Sequence, residues 1–95
     1  PKFHRKYFAM LNLIFDNQDT YKDFEHFRQI MQMKAGYYDA VATDKGVTYL
    51  PRSIAYEAMD ETEFSDLFEK VWIELNKFIK IDRETLEEQL AQMVT

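Results

Sequence analysis

The chain has 95 residues and a net charge of −5; 46% of its residues are apolar and 31% are charged. This composition is typical of a folded globular chain, so residues 1–95 are expected to form a single domain. No apolar run reaches the ~18–20 residues of a membrane span, and no cysteine is present for a disulfide or a thiolate metal site. We therefore expect a cytoplasmic protein with no membrane contact and no cofactor.

Apolar residues recur every three or four positions in the first third of the chain. From Phe3 to Phe15 this spacing predicts an amphipathic helix with a broad apolar face. The polar residues 16–20 follow, and Thr20 is the expected N-cap of a second helix that begins at Tyr21. Gly36 is the expected C′ residue at which that helix ends.

Two β-prone runs, residues 37–41 and 47–50, lie on either side of the turn residues Asp44, Lys45 and Gly46. This arrangement predicts a β-hairpin. Pro51 has no N–H to donate to a strand ladder, so it should lie at a strand end or on an edge. Residues 53–56 are expected to continue the extended path.

The second half of the chain is predicted to form two more helices. Asp60 precedes Glu63 by three residues, a variant of the capping box that predicts a helix start. The apolar stripe of this helix is the longest in the chain and consists of Phe64, Leu67, Phe68, Val71, Trp72, Leu75, Phe78 and Ile79. Asp82 is the expected cap of a short last helix with one apolar face, formed by Leu86, Leu90 and Met93. The predicted fold class is α+β, mainly helical, with about four helices packed with one small antiparallel hairpin.

Charge is distributed unevenly along the chain. Residues 1–56 contain more basic than acidic side chains, whereas residues 57–95 are strongly acidic. Acidic residues in a first helical turn are favoured by the helix dipole, typically by ~0.3–1 kcal/mol each, which accounts for part of this pattern. A surface presented to a basic partner would account for the rest. The acidic candidates for partner binding are Glu57, Asp60, Glu61, Glu63, Asp66 and Glu69.

Positive charge is concentrated at the start of the first predicted helix, where the helix dipole disfavours it. Ion pairs with the acidic half would offset that cost, and phosphate contacts are the alternative explanation. A cluster this small makes few phosphate contacts, and the net charge of −5 opposes attraction to a polyanion. The nucleic-acid-binding candidates are Lys2, His4, Arg5, Lys6 and, if the hairpin folds back beside the first helix, Arg52.

Catalytic motifs are not recognisable in the sequence. His4 and His26 have no second ligand at metal-binding spacing, and the two glycines cannot form a phosphate-binding loop. The nearest approach to a nuclease site is Asp39, Asp44 and Lys45, which are better explained as a solvated turn. The helical spacing of most aromatic residues predicts that they belong to the core rather than to a base-stacking surface.

Three segments resemble a family of phage and prophage proteins catalogued as a domain of unknown function. They are HRKYFAMLNL (residues 4–13), AGYYD (35–39) and PRSIAY (51–56), the last followed by MDETEF (59–64). The resemblance covers the C-terminal portion of typical members, which carry a β-rich segment ahead of it. It implies a phage context, and it implies no catalytic residue.

These observations favour a non-enzymatic phage-encoded accessory protein that binds a macromolecular partner through an acidic and aromatic surface. A protein of nucleic-acid handling or host defence is the expected partner, and inhibition of that partner is one mode of action. The alternative is a direct DNA- or RNA-binding accessory of phage recombination or replication, and a metal-dependent nuclease is a distant third. The sequence leaves open whether the chain also forms a homo-oligomer.

Overall fold

A computed structural model describes residues 2–52 and 59–93 of the chain, with side chains from His4 onward. In chain order the elements are α1 (Lys2–Phe15), α2 (Phe24–Lys34), β1 (Tyr38–Thr43), β2 (Gly46–Pro51), α3 (Glu61–Phe78) and α4 (Arg83–Met93). The predicted α+β fold with four helices and one antiparallel hairpin is confirmed. The predicted extended path of residues 53–56 lies outside the described residues.

The start of α2 differs from the prediction. The helix begins at Phe24, and its N-cap is Asp23, whose carboxylate accepts the His26 N–H at 3.0 Å. Gln18 holds the preceding loop, because its amide nitrogen donates to the Tyr21 carbonyl and its oxygen accepts the Tyr21 N–H. The prediction of Thr20 as N-cap and Tyr21 as the first helical residue is therefore wrong. An aspartate one turn later caps the helix instead.

The other helix ends follow the local signals. Gly36 adopts a φ of +95°, and its N–H donates to Met33 while the Tyr37 N–H donates to Gln32, which is a Schellman motif. Asp60 accepts the Glu63 N–H at 2.8 Å. Asp82 accepts the Thr85 N–H at 3.1 Å at the start of α4.

Three helices are held together by an aromatic layer. Near the helix starts, Tyr7 of α1 contacts Phe64 of α3. At the opposite ends, Phe27 of α2 contacts both Phe15 of α1 and Phe78 of α3. The helices α1 and α3 therefore run in the same direction, and α2 starts where both of them end. The buried core is drawn from all four helices: Tyr7, Met10, Leu11, Ile14, Phe27, Met31, Phe64, Leu67, Phe68, Val71, Trp72, Leu75, Leu86 and Leu90.

Two positions of the predicted apolar stripes differ from their neighbours. Ile79 is the C-cap of α3 in an extended conformation, so it does not continue the helical stripe, although it packs against the core as a partly buried side chain. Met93 is 47% exposed at the end of α4, although Leu86 and Leu90 on the same predicted apolar face are buried. Burial of that face therefore ends before Met93.

The hairpin contributes no side chain to the buried core among the described residues. Every residue from 38 to 50 is exposed. Its base is attached to α2, where β2 packs, and a short hydrogen bond joins the Gln32 side chain to the Arg52 carbonyl. The hairpin packs on the helices through β2 and α2, and its residues 38–50 stay exposed.

Candidate partner-binding surfaces

The acidic candidates do not form one uniform surface. Glu61, Glu63 and Asp66, which we call the acidic face, are exposed in the first two turns of α3. In the part of the chain that the structure describes, these three carboxylates form no ion pair. Glu57 lies outside the described residues.

Two other acidic candidates have structural roles. The Asp60 side chain caps α3, with the residue in an extended conformation at φ −85° and ψ 177°. Glu69 accepts two hydrogen bonds from the Arg83 guanidinium, at 2.6 and 2.8 Å. Both side chains are thus engaged within the chain, which leaves the acidic face as the described part that is available to a partner.

A shallow depression of about 290 Å³ lies on the acidic face. Its walls are the carboxylates of Glu61 and Asp66 and the hydroxyl side chains of Thr62 and Ser65. Glu61 and Ser65, and likewise Thr62 and Asp66, are four positions apart on α3, so the helix presents their oxygens together. Glu63 is two positions from Glu61, on another side of the helix, and does not line the depression. Carboxylates accept hydrogen bonds, and this depression therefore suits a partner that supplies N–H donors and positive charge.

Lys6, Glu69, Arg83 and Glu87 form an ion network that joins three helices. Lys6 on α1 lies 2.8 Å from the Glu87 carboxylate on α4. Arg83, also on α4, donates to Glu87 at 2.9 Å and to Glu69 on α3. The basic start of α1 is therefore tied in part to the acidic second half of the same chain.

The ion network shifts the ionisation of its own carboxylates. Hydrogen bonds from Arg83 lower the pKa of Glu69. Burial pushes the pKa of Glu87 upward, but hydrogen bonds from Lys6 and Arg83 outweigh burial, so the pKa of Glu87 is also lowered. Both carboxylates are therefore held in the charged form that the network requires.

Aromatic rings support the two cations of this network. The Lys6 ammonium lies 4.9 Å from the centre of the Phe68 ring. The Arg83 guanidinium lies 5.3 Å from the Phe68 ring and 5.6 Å from the Trp72 ring. These cation–π contacts fix both side chains against α3, so neither extends freely into solvent.

The other basic candidates lie in different surroundings. His4 packs against Phe8 and Phe64 with ring centroids 4.9 and 5.0 Å away, and burial lowers its pKa. Arg5 is exposed and forms no ion pair with the described residues. Lys2 belongs to the first turn of α1, and its side chain is not among those described.

Arg52, the last basic candidate, is engaged by the hairpin itself. Its guanidinium donates to the Asp39 carboxylate at 3.3 Å and to the Tyr38 carbonyl at 3.1 Å. Lys6 is bound by α4 and Arg52 by β1, so these two basic candidates are engaged on different elements of the chain. The structure does not show them joined in one basic patch.

The exposed aromatic surface lies on the hairpin. Tyr38 and Tyr49 are 38% and 55% exposed and contact each other edge to face at 5.4 Å. With Met33 and Lys34 at the end of α2 they line an open groove of about 360 Å³. The other phenylalanine, tyrosine and tryptophan rings that the structure describes are buried in the core or packed against it, as the helical spacing of most of them predicts.

One buried polar side chain, Gln32, was not identified from the sequence. Gln32 is fully buried; its amide nitrogen donates to the carbonyls of Tyr37 and Arg52, and its oxygen accepts from Arg28. It lies on an amphipathic helix, where nothing in the local pattern distinguishes a buried polar group from a surface one.

Tyr7 is also fully buried, as its place in the apolar spacing of α1 predicts, and its hydroxyl has no hydrogen-bond partner among the described residues. Burial raises the pKa of Tyr7.

The described residues contain no group of three or more histidine and acidic side chains placed to hold a metal ion. Asp39 and Asp44, the acids of the distant nuclease hypothesis, lie on the exposed hairpin, where Asp39 pairs with Arg52. None of the helices in the described ranges has the length and apolar character to cross a membrane.

Comparison with known proteins returns one family. No curated protein and no solved structure matches the chain. Residues 16–95 match the family described as "Protein of unknown function (DUF1367)". The matched range includes the AGYYD and PRSIAY segments and begins after the HRKYFAMLNL segment. Because the match covers well over half of its length, the chain belongs to the DUF1367 family.

Proposed function

We propose that this chain is a non-enzymatic accessory protein of a phage that binds a macromolecular partner through the acidic face. The observation that supports this function is that Glu61, Glu63 and Asp66 are exposed and form no ion pair with the described residues. Uncompensated charges of one sign steer and orient a partner of the opposite sign. The phage origin rests on the resemblance of the three sequence segments.

The proposed partner is a basic protein of nucleic-acid handling or host defence. Such proteins carry lysine and arginine surfaces that hold phosphate oxygens. Carboxylates spaced along one helix offer those surfaces an alternative array of oxygen acceptors. The proposed mode of action is inhibition, in which the acidic face occupies the surface that nucleic acid would otherwise contact. Tyr38 and Tyr49 supply a separate exposed aromatic patch for contact.

The test is affinity capture from phage-infected and uninfected host lysates, with and without nuclease treatment. The wild-type chain is compared with a triple variant, Glu61→Lys, Glu63→Lys and Asp66→Lys. A matched control carries Asp16→Lys, Asp19→Lys and Glu88→Lys, which change the net charge equally at exposed positions outside the acidic face. Thermal melting of each variant verifies that it is folded, since reversal in the first turn of α3 costs about 0.3–1 kcal/mol per residue.

We expect the wild type and the control to capture the same basic protein after nuclease treatment, and the acidic-face variant to lose it. Equal capture by the wild type, the control and the acidic-face variant would show that the acidic face is a solvated surface that takes no part in partner binding. Capture that disappears on nuclease treatment would instead favour direct nucleic-acid binding. That alternative also predicts a DNA or RNA complex at about 50 mM salt that weakens steeply as salt rises.

A further inference from the structure

The hairpin formed by β1 and β2 is unusually exposed to solvent. All residues from 38 to 50 are exposed, and the sheet has two strands in the described part of the chain. A two-stranded hairpin is at best marginally stable in water, and three or more strands or packing on a helix are needed for a stable sheet. This hairpin packs on α2 through β2, which leaves β1 as the outer strand.

The direction of the backbone groups on β1 follows from one hydrogen bond. The Arg52 N–H donates to the Tyr37 carbonyl at 3.1 Å, which makes residues 37 and 52 a hydrogen-bonded pair. Such pairs alternate along an antiparallel ladder, so Asp39 and Val41 bond to β2 in the same way. Ala40 and Ala42 then direct their N–H and C=O groups away from β2, toward the outer edge of β1.

In the described part of the chain this outer edge is guarded at one point, where the Arg52 guanidinium donates to the outward Tyr38 carbonyl at 3.1 Å, and it is open at Ala40 and Ala42. Natural sheets guard their edges with lysine, proline, bulges or covering segments. β1 contains no lysine or proline, and its register with β2 is regular from Tyr38 to Thr43. The opposite edge differs, because β2 ends in Pro51, which has no N–H, and packs on α2.

The chemistry of the hairpin favours a copy of itself. Alternation along the two strands places Tyr38, Ala40, Ala42, Val47 and Tyr49 on one side, which we call the tyrosine face. This face carries no charge, although the chain as a whole has a net charge of −5. Contact along this edge involves the uncharged tyrosine face and one internally balanced ion pair, Asp39 with Arg52, whereas contact through the acidic helices would bring like charges together.

We propose that β1 pairs antiparallel with β1 of a second copy, about a two-fold axis at Ala40, and so forms a continuous four-stranded sheet. In this register Ala40 lies opposite its own equivalent, and Tyr38 lies opposite Ala42 of the second copy. Asp39 faces Val41, so no like charges are opposed. The outward groups of Ala40 bond those of Ala40 in the second copy, and the outward groups of Ala42 bond Tyr38 of the second copy, whose carbonyl then accepts from both Ala42 and Arg52. This inference does not depend on the proposed function.

Light scattering after size exclusion, from low to high micromolar chain concentration, tests the proposal. The wild type is expected to reach twice the 11.5 kDa mass of the chain. Ala40→Pro removes an outward N–H from β1 and should give a monomer with an unchanged helical circular dichroism spectrum. Val47→Pro is the matched control, because residue 47 pairs with residue 42 and therefore directs its N–H outward from β2. This variant should remain dimeric.

Hydrogen exchange provides an independent readout at the level of single amides. The Ala40 and Ala42 amides should exchange more slowly as the chain concentration rises, while those of Asp39 and Val41 are protected at every concentration. A wild-type monomer at all concentrations would overturn the proposal and assign the edge to a strand of another protein. Dimers of Ala40→Pro, or loss of the dimer in Val47→Pro, would overturn the assignment of the interface to β1.

Discussion

Gln32 illustrates how one buried polar side chain positions an otherwise exposed element. Gln32 lies in the last turn of α2, and its side chain reaches the base of the hairpin. There its amide nitrogen bonds the carbonyls of Tyr37 and Arg52, one from each arm of the hairpin. An amide side chain that donates to two backbone carbonyls acts as a clamp on both strands.

Replacing Gln32 with leucine is therefore expected to lower the free energy of unfolding by about 1–3 kcal/mol, because the Tyr37 and Arg52 carbonyls each lose a part-buried hydrogen bond. Urea denaturation measures this loss, and hydrogen exchange should show faster opening of the hairpin than of the helices.

Gln89→Leu on the exposed side of α4 is the control for the Gln32 substitution. Gln89 is exposed, and a surface change of this kind should stay within about ±0.5 kcal/mol. Equal losses for the two variants would show that the clamp contributes nothing specific.

At the scale of elements, the ion network decides how α4 is attached to α1 and α3. Among the described residues of α4, Leu86 and Leu90 are the buried apolar side chains. Polar contacts therefore supply a larger part of the stabilisation of α4 than of the other helices. Arg83 bonds two carboxylates and lies over two rings. Exposed ion pairs contribute about 0.2–1 kcal/mol each, and cation–π contacts add a similar amount.

Arg83→Met should lower the free energy of unfolding at neutral pH by about 1–2 kcal/mol, because it removes two ion pairs and two ring contacts. Lys77→Met is the control, since Lys77 forms one exposed pair with Glu74 and its loss should cost under about 0.5 kcal/mol. Urea denaturation of both variants in parallel makes the comparison, and an equal effect would contradict the role of the ion network.

The same network predicts a dependence of stability on pH. The pKa values of Glu69 and Glu87 are lowered in the folded chain from an ordinary value of 4.5. The stabilisation is therefore complete above about pH 4.5 and is lost as the pH falls through the lower folded pKa values. Wild-type urea curves recorded from pH 7 down to pH 3 should show this loss, and Arg83→Met should show a smaller one. An identical pH dependence in both proteins would contradict the assignment.

At the scale of the whole molecule, the helices and the hairpin make different contributions to stability. Tightly packed side chains from all four helices form one core, whereas residues 38–50 are exposed. The principal dimensions of 48 × 31 × 19 Å also describe an elongated chain. We therefore expect the helices to unfold cooperatively and the hairpin to be largely dispensable for their stability.

Replacement of residues 40–49 by Asn-Gly tests this expectation, since it retains the paired residues 39 and 50 around a two-residue turn. The melting temperature at low chain concentration should change by less than about 5 °C, which corresponds to roughly 1 kcal/mol for a domain of this size. Leu67→Ala, at a fully buried position of α3, should cost about 2–5 kcal/mol by comparison. Loss of cooperative melting in the shortened chain would show that the hairpin is part of the folding unit.

The features that the sequence predicts correctly depend on residues only a few positions apart. Asp60 and Asp82 cap helices by bonding N–H groups three residues ahead, and Gly36 ends α2 because its φ is positive. The apolar spacing of α1 and α3 likewise reports which face each helix buries. The error at the start of α2 arose because Thr20 and Asp23 are both acceptable caps and the bonds of Gln18 decide between them.

The composition of the candidate surfaces was decided by tertiary structure. The sequence located the acidic residues of α3, but only packing shows that Glu69 is bound by Arg83 while Glu61, Glu63 and Asp66 have no ion pair among the described residues. Lys6 meets Glu87 across 81 positions, a contact that depends on how three helices assemble.

The sequence by itself determined the four helices, the hairpin and the charge asymmetry, because helix caps, turn residues and apolar period act over a few residues. Only the tertiary structure decided which charges are paired, that Gln32 holds the hairpin and that the edge of β1 is open. These depend on distances between elements far apart in the chain, which no local pattern specifies.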